Sequence, residues 1–291
     1  MGAFSGDWLA LREAADTRAR STAVVDALRE ACARRPLTIV DLGAGTGANL
    51  RWLAPRLGGR QEWLLVDSDA ALLAEARAAL TRWAETLGAQ VEARERGIVI
   101  AARDFTCTVQ TATFDLARNL AALALPRACL VTASALLDLV SQQWLEALAQ
   151  ACLVARARVL FALTYDGRMT LEPSGPDDEV VRTLFNRHQR ADKGFGAALG
   201  PEAATAASAA FARRGYSVTT AASDWRIAGD ERRLQAELID GWLGAAADID
   251  PASRDKLERW HASHRQRIDA ARSKIVVGHG DVAGVLPEST A

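Results

Sequence analysis

"IVDLGAGTGANL", residues 39–50, decides how the chain is read. An apolar run ends at an acid, Asp41. Glycines follow at 43, 45 and 47, and then Leu50, Leu53 and Leu57 fall at helical spacing. Glycines at alternate positions of a turn allow backbone angles closed to other residues. They also remove the Cβ atoms that would keep a ligand off the main chain. The stretch therefore predicts a buried strand over 37–42, a turn pressed closely by something, and a helix over 48–57 disturbed at Pro55. In open α/β sheets such a turn lies where ligands bind, at the carboxyl ends of the strands.

Outward from the turn, strands and helices alternate. "EWLLVD" (62–67) reads as a second strand, "DAALLAEARAALTRWAETL" (69–87) as a long amphipathic helix, and "GIVIAARD" (97–104) as a third strand. "ACLVTASALLDLV" (128–140) contains a fourth, followed by a helix with Ser141 as N-cap, and "ARVLFALTY" (157–165) is a fifth. Near-continuous apolar strands alternating with helices predict a doubly wound, mostly parallel sheet covered on both faces. Beyond residue 165 come a turn-rich loop at 166–179, a helix running into a glycine loop at 180–196, a helix at 201–215 and a strand at 216–228. Two helices broken at Asp250-Pro251 follow, and a bulged last strand at 274–286. We expect one domain: an N-terminal helical lid (1–35), a core (36–228) with a substrate loop and helix insertion (166–200), a helical insertion (229–273), and a last strand with its tail (274–291).

Composition narrows the function. With 35 basic and 36 acidic residues the net charge is −1, without the basic surplus of a nucleic-acid binder. No window approaches ~18 unbroken apolar residues, so no membrane span is expected. The N-terminus lacks the basic start and apolar core of a secretory signal, so a cytoplasmic protein is expected. Cysteines 32, 107, 129 and 152 are far apart and follow no metal spacing. They are expected as small buried apolar residues, with no metal site. The eight tryptophans are spread evenly and are expected in core packing. Oligomeric state is not legible.

Two ligand classes use a turn of this kind. Read as G-x-G-x-x-A over Gly43, Gly45 and Ala48, it matches a dinucleotide fingerprint with Asp67 placed for a ribose. Read as D-x-G-x-G-x-G, it resembles motif I of class I S-adenosylmethionine-dependent methyltransferases. Asp41 two residues before the first glycine, the extra Gly47 and the helical segment ahead of the first strand favour the second reading. A tight turn with no ligand is the bland alternative. Others are a nicotinamide-dependent reductase and a non-enzymatic S-adenosylmethionine or nucleotide sensor. The resemblance spans roughly residues 37–165, and motif I is its specific part.

The resemblance implies a Rossmann-like, seven-stranded sheet with a reversed last strand. It also implies S-adenosyl-L-methionine as cofactor, with S-adenosyl-L-homocysteine as product. Asp41, Gly43, Ala44, Gly45 and Gly47 would form the cofactor turn, and Asp67 with Ser68 would meet the ribose. Asp104 and Phe105 would meet the adenine, and Thr132 and Ala133 would line the sulfonium. Asp69 is read as a helix N-cap. The fourth strand lacks the Asn/Asp-Pro-Pro-Tyr type of the base and amide N-methyltransferases, so a small-molecule acceptor is expected. Substrate candidates are Arg12, Asp138, Arg168, Arg187 and Arg190, whose arginines suit a carboxylate or phosphate. Catalytic candidates are His188, Tyr165 and Asp166, with His188 the best base because its ordinary pKa lies near neutrality. The arginine-rich first helix is also explained by an exposed face with Asp16 and Arg20 paired at i,i+4. His261 and His264 are expected at the surface, and His279 as structural.

Overall fold

The computed structural model describes residues 5–33 and 36–287. The ends of the expected lid (1–4 and 34–35) and tail (288–291) lie outside them. Two helices, α1 (Gly6–Ala19) and α2 (Thr22–Asp26), precede strand β1 (Leu37–Leu42). The side chains of β1 divide between two apolar layers: Ile39 packs with Leu50, Leu53 and Leu65, while Val40 and Leu42 join Leu145, Phe161 and Phe211 on the other face. Covering on both faces is why this strand reads as an unbroken apolar run.

Helix α3 (Ala48–Leu57) leads to β2 (Gly59–Asp67), α4 (Ala70–Thr86), a hairpin of β3 (Gln90–Arg94) and β4 (Gly97–Ala101), and β5 (Phe105–Thr113). Then come α5 (Leu116–Asn119), β6 (Leu130–Ser134), α6 (Gln142–Ala155), β7 (Arg158–Glu172), α7 (Asp178–Gln189) and α8 (Ala203–Ala212). Strands β8 (Ser217–Ala222) and β9 (Trp225–Ile227), helices α9 (Arg232–Ile249) and α10 (Arg254–Asp269), and β10 (Lys274–Val285) complete the chain. The sheet runs β3-β4-β5-β2-β1-β6-β7-β10-β8, with β9 against β10. The five central strands β5, β2, β1, β6 and β7 are parallel, and β10 is antiparallel to β7 and β8. This is the expected doubly wound, Rossmann-like sheet with its reversed strand, enlarged by β3, β4 and β9. The expected bulge is present as two register shifts of β10 against β7.

Four expectations change. "GIVIAARD" supplies β4, an antiparallel hairpin strand, and the third parallel strand is β5. Residues 166–172, read as loop, continue β7 because β10 pairs with them. The single strand expected at 216–228 is two, β8 and β9. His264, expected at the surface, is only 1% exposed. There Asp178 Oδ1 accepts from its Nε2 at 2.8 Å and from Trp260 Nε1 at 2.8 Å, clamping α10 to the start of α7. Helix N-caps Ser141 and Asp69 are as expected. All four cysteines are buried, as are Trp52 and Trp144.

Candidate functional site

A cavity of about 440 Å³ opens at the carboxyl ends of β1, β2, β5 and β6, within the size range of small-molecule sites. The strand order reverses here, with β2 on one side of β1 and β6 on the other.

The turn after β1 forms one wall. Gly43, Gly45 and Gly47 have φ of +64°, +52° and +77°, so each occupies a conformation that glycine adopts without strain. A Cβ on Gly45 would sit 3.1 Å from Leu9 Cδ1 of α1, which covers the turn. At the end of β2, Asp67 braces the turn: Oδ2 accepts from the Gly45 N–H at 2.8 Å and Oδ1 from the Asp69 N–H at 3.0 Å. Each oxygen retains a further lone pair for a ligand. Ala44 and Ser68 also line the cavity.

At the end of β5 the lining residues are Phe114 and Asp115. Asp104 and Phe105, expected here, lie at the opposite end of that strand. The Asp104 carbonyl accepts from the Gly59 N–H at the start of β2, and buried Phe105 stacks on Trp83 with centroids 5.8 Å apart. The hairpin β3–β4 displaces the register, so the acid after the third parallel strand is Asp115, eleven residues later. A similar, smaller shift holds on β6. Thr132 and Ala133 are buried within the strand, and the cavity is lined by Ser134, Ala135 and Leu136.

Beneath the floor runs a chain of buried polar groups. Asn49 of α3 donates to Asp41 Oδ1 at 2.7 Å and to Thr132 Oγ1 at 3.0 Å. Arg20, at the end of α1, donates to Asn49 Oδ1 at 2.6 Å and to Ser134 Oγ at 2.7 Å. Asp41 therefore does not line the cavity; it holds the residues that do. Its carboxyl is pushed up to about 7 by burial, opposed by the Asn49 hydrogen bond and the Arg20 charge. Burial likewise lowers the Arg20 guanidinium, which lines the cavity with no carboxylate within 4 Å among the described residues.

Helix α1 closes the cavity with Leu9, Arg12, Asp16 and Arg20. Its face is buried, contrary to the exposed-face expectation. Asp16 pairs with Arg12 through two hydrogen bonds of 3.0 and 3.1 Å and accepts from Trp225 Nε1 at 3.0 Å. The Arg12 guanidinium lies over the Trp225 ring. Asp16 thus faces Arg12, not Arg20.

The remaining candidates do not converge. Arg168 is exposed and paired with Asp166 and Asp224. Arg187 is exposed on α7, and Arg190 pairs with Glu202. None of the three lines the cavity. The Tyr165 hydroxyl donates to Asn186 Oδ1 at 2.7 Å, and its ring packs between Phe185 and His279. Asp138 lies behind the cavity lining at Leu136 and Leu139. Its Oδ1 is buried without a hydrogen-bond partner, and burial pushes the carboxyl up to about 6.

The loop after α7 lines the cavity with Lys193, Gly194 and Phe195. Asp192 Oδ1 shapes this loop by accepting from the N–H groups of Gly194 and Gly196 at 2.7 and 3.0 Å. Lys193 Nζ lies 3.3 Å from His188 Nδ1. His188 itself does not line the cavity, and burial and the Lys193 charge lower its pKa. Among the described residues no group of His, Cys, Asp and Glu could hold a metal, and no helix is long and apolar enough to cross a membrane.

No protein-family model matches the sequence, and no curated protein shows significant similarity to it. Among solved structures, the chain is similar to a SAM-dependent methyltransferase from Geobacter sulfurreducens in complex with S-adenosyl-L-homocysteine, at 15% identity and TM-score 0.46, over 99% of this chain and 100% of that one. A SAM-dependent methyltransferase from Thiobacillus denitrificans in the same complex matches at 12% identity and TM-score 0.43, over 98% and 100%. The cyclopropane synthase MmaA2 from Mycobacterium tuberculosis matches at 11% and 0.42, over 89% and 83%.

Proposed function

We propose that the chain is an S-adenosylmethionine-dependent methyltransferase acting on a small molecule that carries an anionic group. The observation that carries this reading is the cavity wall: a turn with three left-handed glycines, braced by the strand-end acid Asp67, facing a second strand-end acid, Asp115.

The residues fit the cofactor. Gly43–Gly47 offer bare backbone, and Asp67 offers lone pairs to two ribose hydroxyls. Asp115 can accept from the adenine amino group beside Phe114. Arg20, desolvated and without a carboxylate partner, suits the methionine carboxylate. When bound, the cofactor supplies a methyl group that is already electrophilic. The chain's part is then to hold an acceptor in line and keep water out, and orientation of this kind can supply much of the catalysis. Leu9 of α1 and Phe195 of the glycine loop line the sides available for that purpose. A near-neutral net charge supports a small molecule over nucleic acid, and four buried cysteines far apart in the sequence suit the cytoplasm.

Calorimetry tests the reading. S-adenosylhomocysteine should bind the wild-type protein and NADH should not. Tight NADH binding without S-adenosylhomocysteine binding would replace it with a reductase.

A further inference from the structure

Among the described residues four cations line the cavity: Arg12, Arg20, Arg118 and Lys193. Arg12 is held in a bidentate pair by Asp16, and Arg118 lies 3.7 Å from Asp115. Arg20 is bound on Asn49 and Ser134 at the floor of the glycine turn, where the proposed cofactor's carboxylate takes it. Lys193 remains, with no carboxylate within 4 Å among the described residues. It stands in the loop whose Phe195 pairs with Val140, next to Leu136 and Leu139, with the Asp138 charge acting on it.

Its position is fixed. An ammonium only donates, so at 3.3 Å the His188 Nδ1 accepts and the imidazole is neutral, with its proton on Nε2 toward Asp248, 3.9 Å away. Two of the three ammonium hydrogens stay free for a ligand. The geometry points to Lys193 as the cation that recognises the acceptor: it binds one carboxylate on a molecule whose apolar body rests on Leu136, Leu139 and Phe195, and His188 is its positioning residue. The inference rests on the methyl-transfer reading for which side of the cavity is left to the acceptor. It also replaces Arg12, Arg168, Arg187 and Arg190 as the cations expected at the acceptor, and it removes His188 from the role of general base.

A carboxylate fits better than a phosphate. Asp138 and Asp248 both act on Lys193 from neighbouring elements, and Arg12 is already neutralised by Asp16. One ammonium among these charges balances a single negative charge, and a dianion meets repulsion. Burial lowers Lys193 from its ordinary value and an arriving anion opposes that shift, so anion binding and the ammonium form favour each other.

The test uses the full chain saturated with S-adenosylhomocysteine. Binding is measured for alkyl carboxylates from acetate to decanoate, and for benzoate and naphthoate, each beside its amide. The expected result is at least one carboxylate binding tenfold or more tighter than its amide, with affinity rising with apolar size. Lys193→Met should abolish that preference and its decline at high pH, with S-adenosylhomocysteine affinity within twofold of wild type. His188→Leu should weaken the preference, and His188→Asn, which keeps an acceptor atom, should restore it. If no carboxylate outbinds its amide, or if the preference survives in Lys193→Met, the inference is overturned while the cofactor reading stands. If the wild type does not bind S-adenosylhomocysteine at all, both fall.

Discussion

The residues of the turn show how local conformation and ligand contact meet at one position. Gly45 needs a left-handed backbone at φ +52°, and a side chain there would press on Leu9 Cδ1. Gly45→Val should therefore eliminate measurable S-adenosylhomocysteine binding by calorimetry, because strain and obstruction act together. Asp67→Ala should weaken binding by roughly 1.5–3 kcal/mol, the scale of a hydrogen bond to a charged group. The two acids that follow the competing third-strand assignments separate cleanly. Asp115→Ala should weaken binding by a similar amount, and Asp104→Ala should leave it within experimental error, since Asp104 lies at the far end of β5. Equal affinities for the Asp115 and Asp104 variants would remove Asp115 from the site. The glycine turn and Asp67 were legible because their signals are local: a run of apolar residues, an acid and a spacing. Asp115 was not, because the more apolar "GIVIAARD" ends in an acid and imitates the strand it only pairs with. Strand β5 alternates Phe105, Cys107 and Val109 with Thr and Gln, since its other face is exposed, and its apolar signal is correspondingly weak. The alternation, followed by Phe114-Asp115, was the available clue.

At the scale of elements, α1 is the piece whose sequence says least about its role. Arg12, Asp16 and Arg20 fall at successive i,i+4 spacings, so Asp16 has two equal partners in the sequence. The choice is made by Trp225, more than two hundred residues away, whose indole N–H and ring hold Asp16 and Arg12 together. The pair's side chains are 11% and 9% exposed, so it is a buried ion pair. Asp16→Ala strands the guanidinium and the indole N–H, and it should cost about 3–5 kcal/mol of stability. Urea unfolding at pH 7 measures it, and a loss below ~1 kcal/mol would mean that Arg12 swings into water and the helix is only loosely closed. The glycine loop after α7 was legible only in part. Arg187 and Arg190 just before it read as substrate candidates, and only the fold reveals that Lys193 lines the cavity while those two do not. Helix and strand identities, by contrast, followed from periodicity nearly throughout, because most elements bury a full stripe or both faces.

Across the whole molecule, buried titratable groups set two opposing pH trends. Burial raises Asp41 to about 7 and Asp138 to about 6, and also raises Asp281. Asp41 and Asp138 hold protons in the folded state that the unfolded chain has released, so stability from them increases as pH falls from about 7 toward 4, and Asp281 acts in the same direction. Burial lowers His279 to about 4, and it lowers His264 and His188 as well. Between about pH 4 and 6.5 His279 is neutral when folded but charged when unfolded, so its contribution is lost as pH falls below about 6.5, and His264 and His188 act in the same direction. The two kinds oppose each other, and His279, about 4 when folded and about 6.5 when unfolded, differs between the two states by close to one proton between about pH 4.5 and 6. His279→Phe keeps a ring against Tyr165 and Trp225 but deletes one of the histidines. Whatever it costs in packing is the same at every pH, so the slope is the quantity to read. The variant should gain about 1.4 kcal/mol per unit of pH lowered across that interval, relative to the wild type, which corresponds to one proton. Parallel curves for the two proteins would mean that His279 titrates alike in the folded and unfolded chains, and that the neutral imidazole packed on Tyr165 and Trp225 is not what this cluster requires.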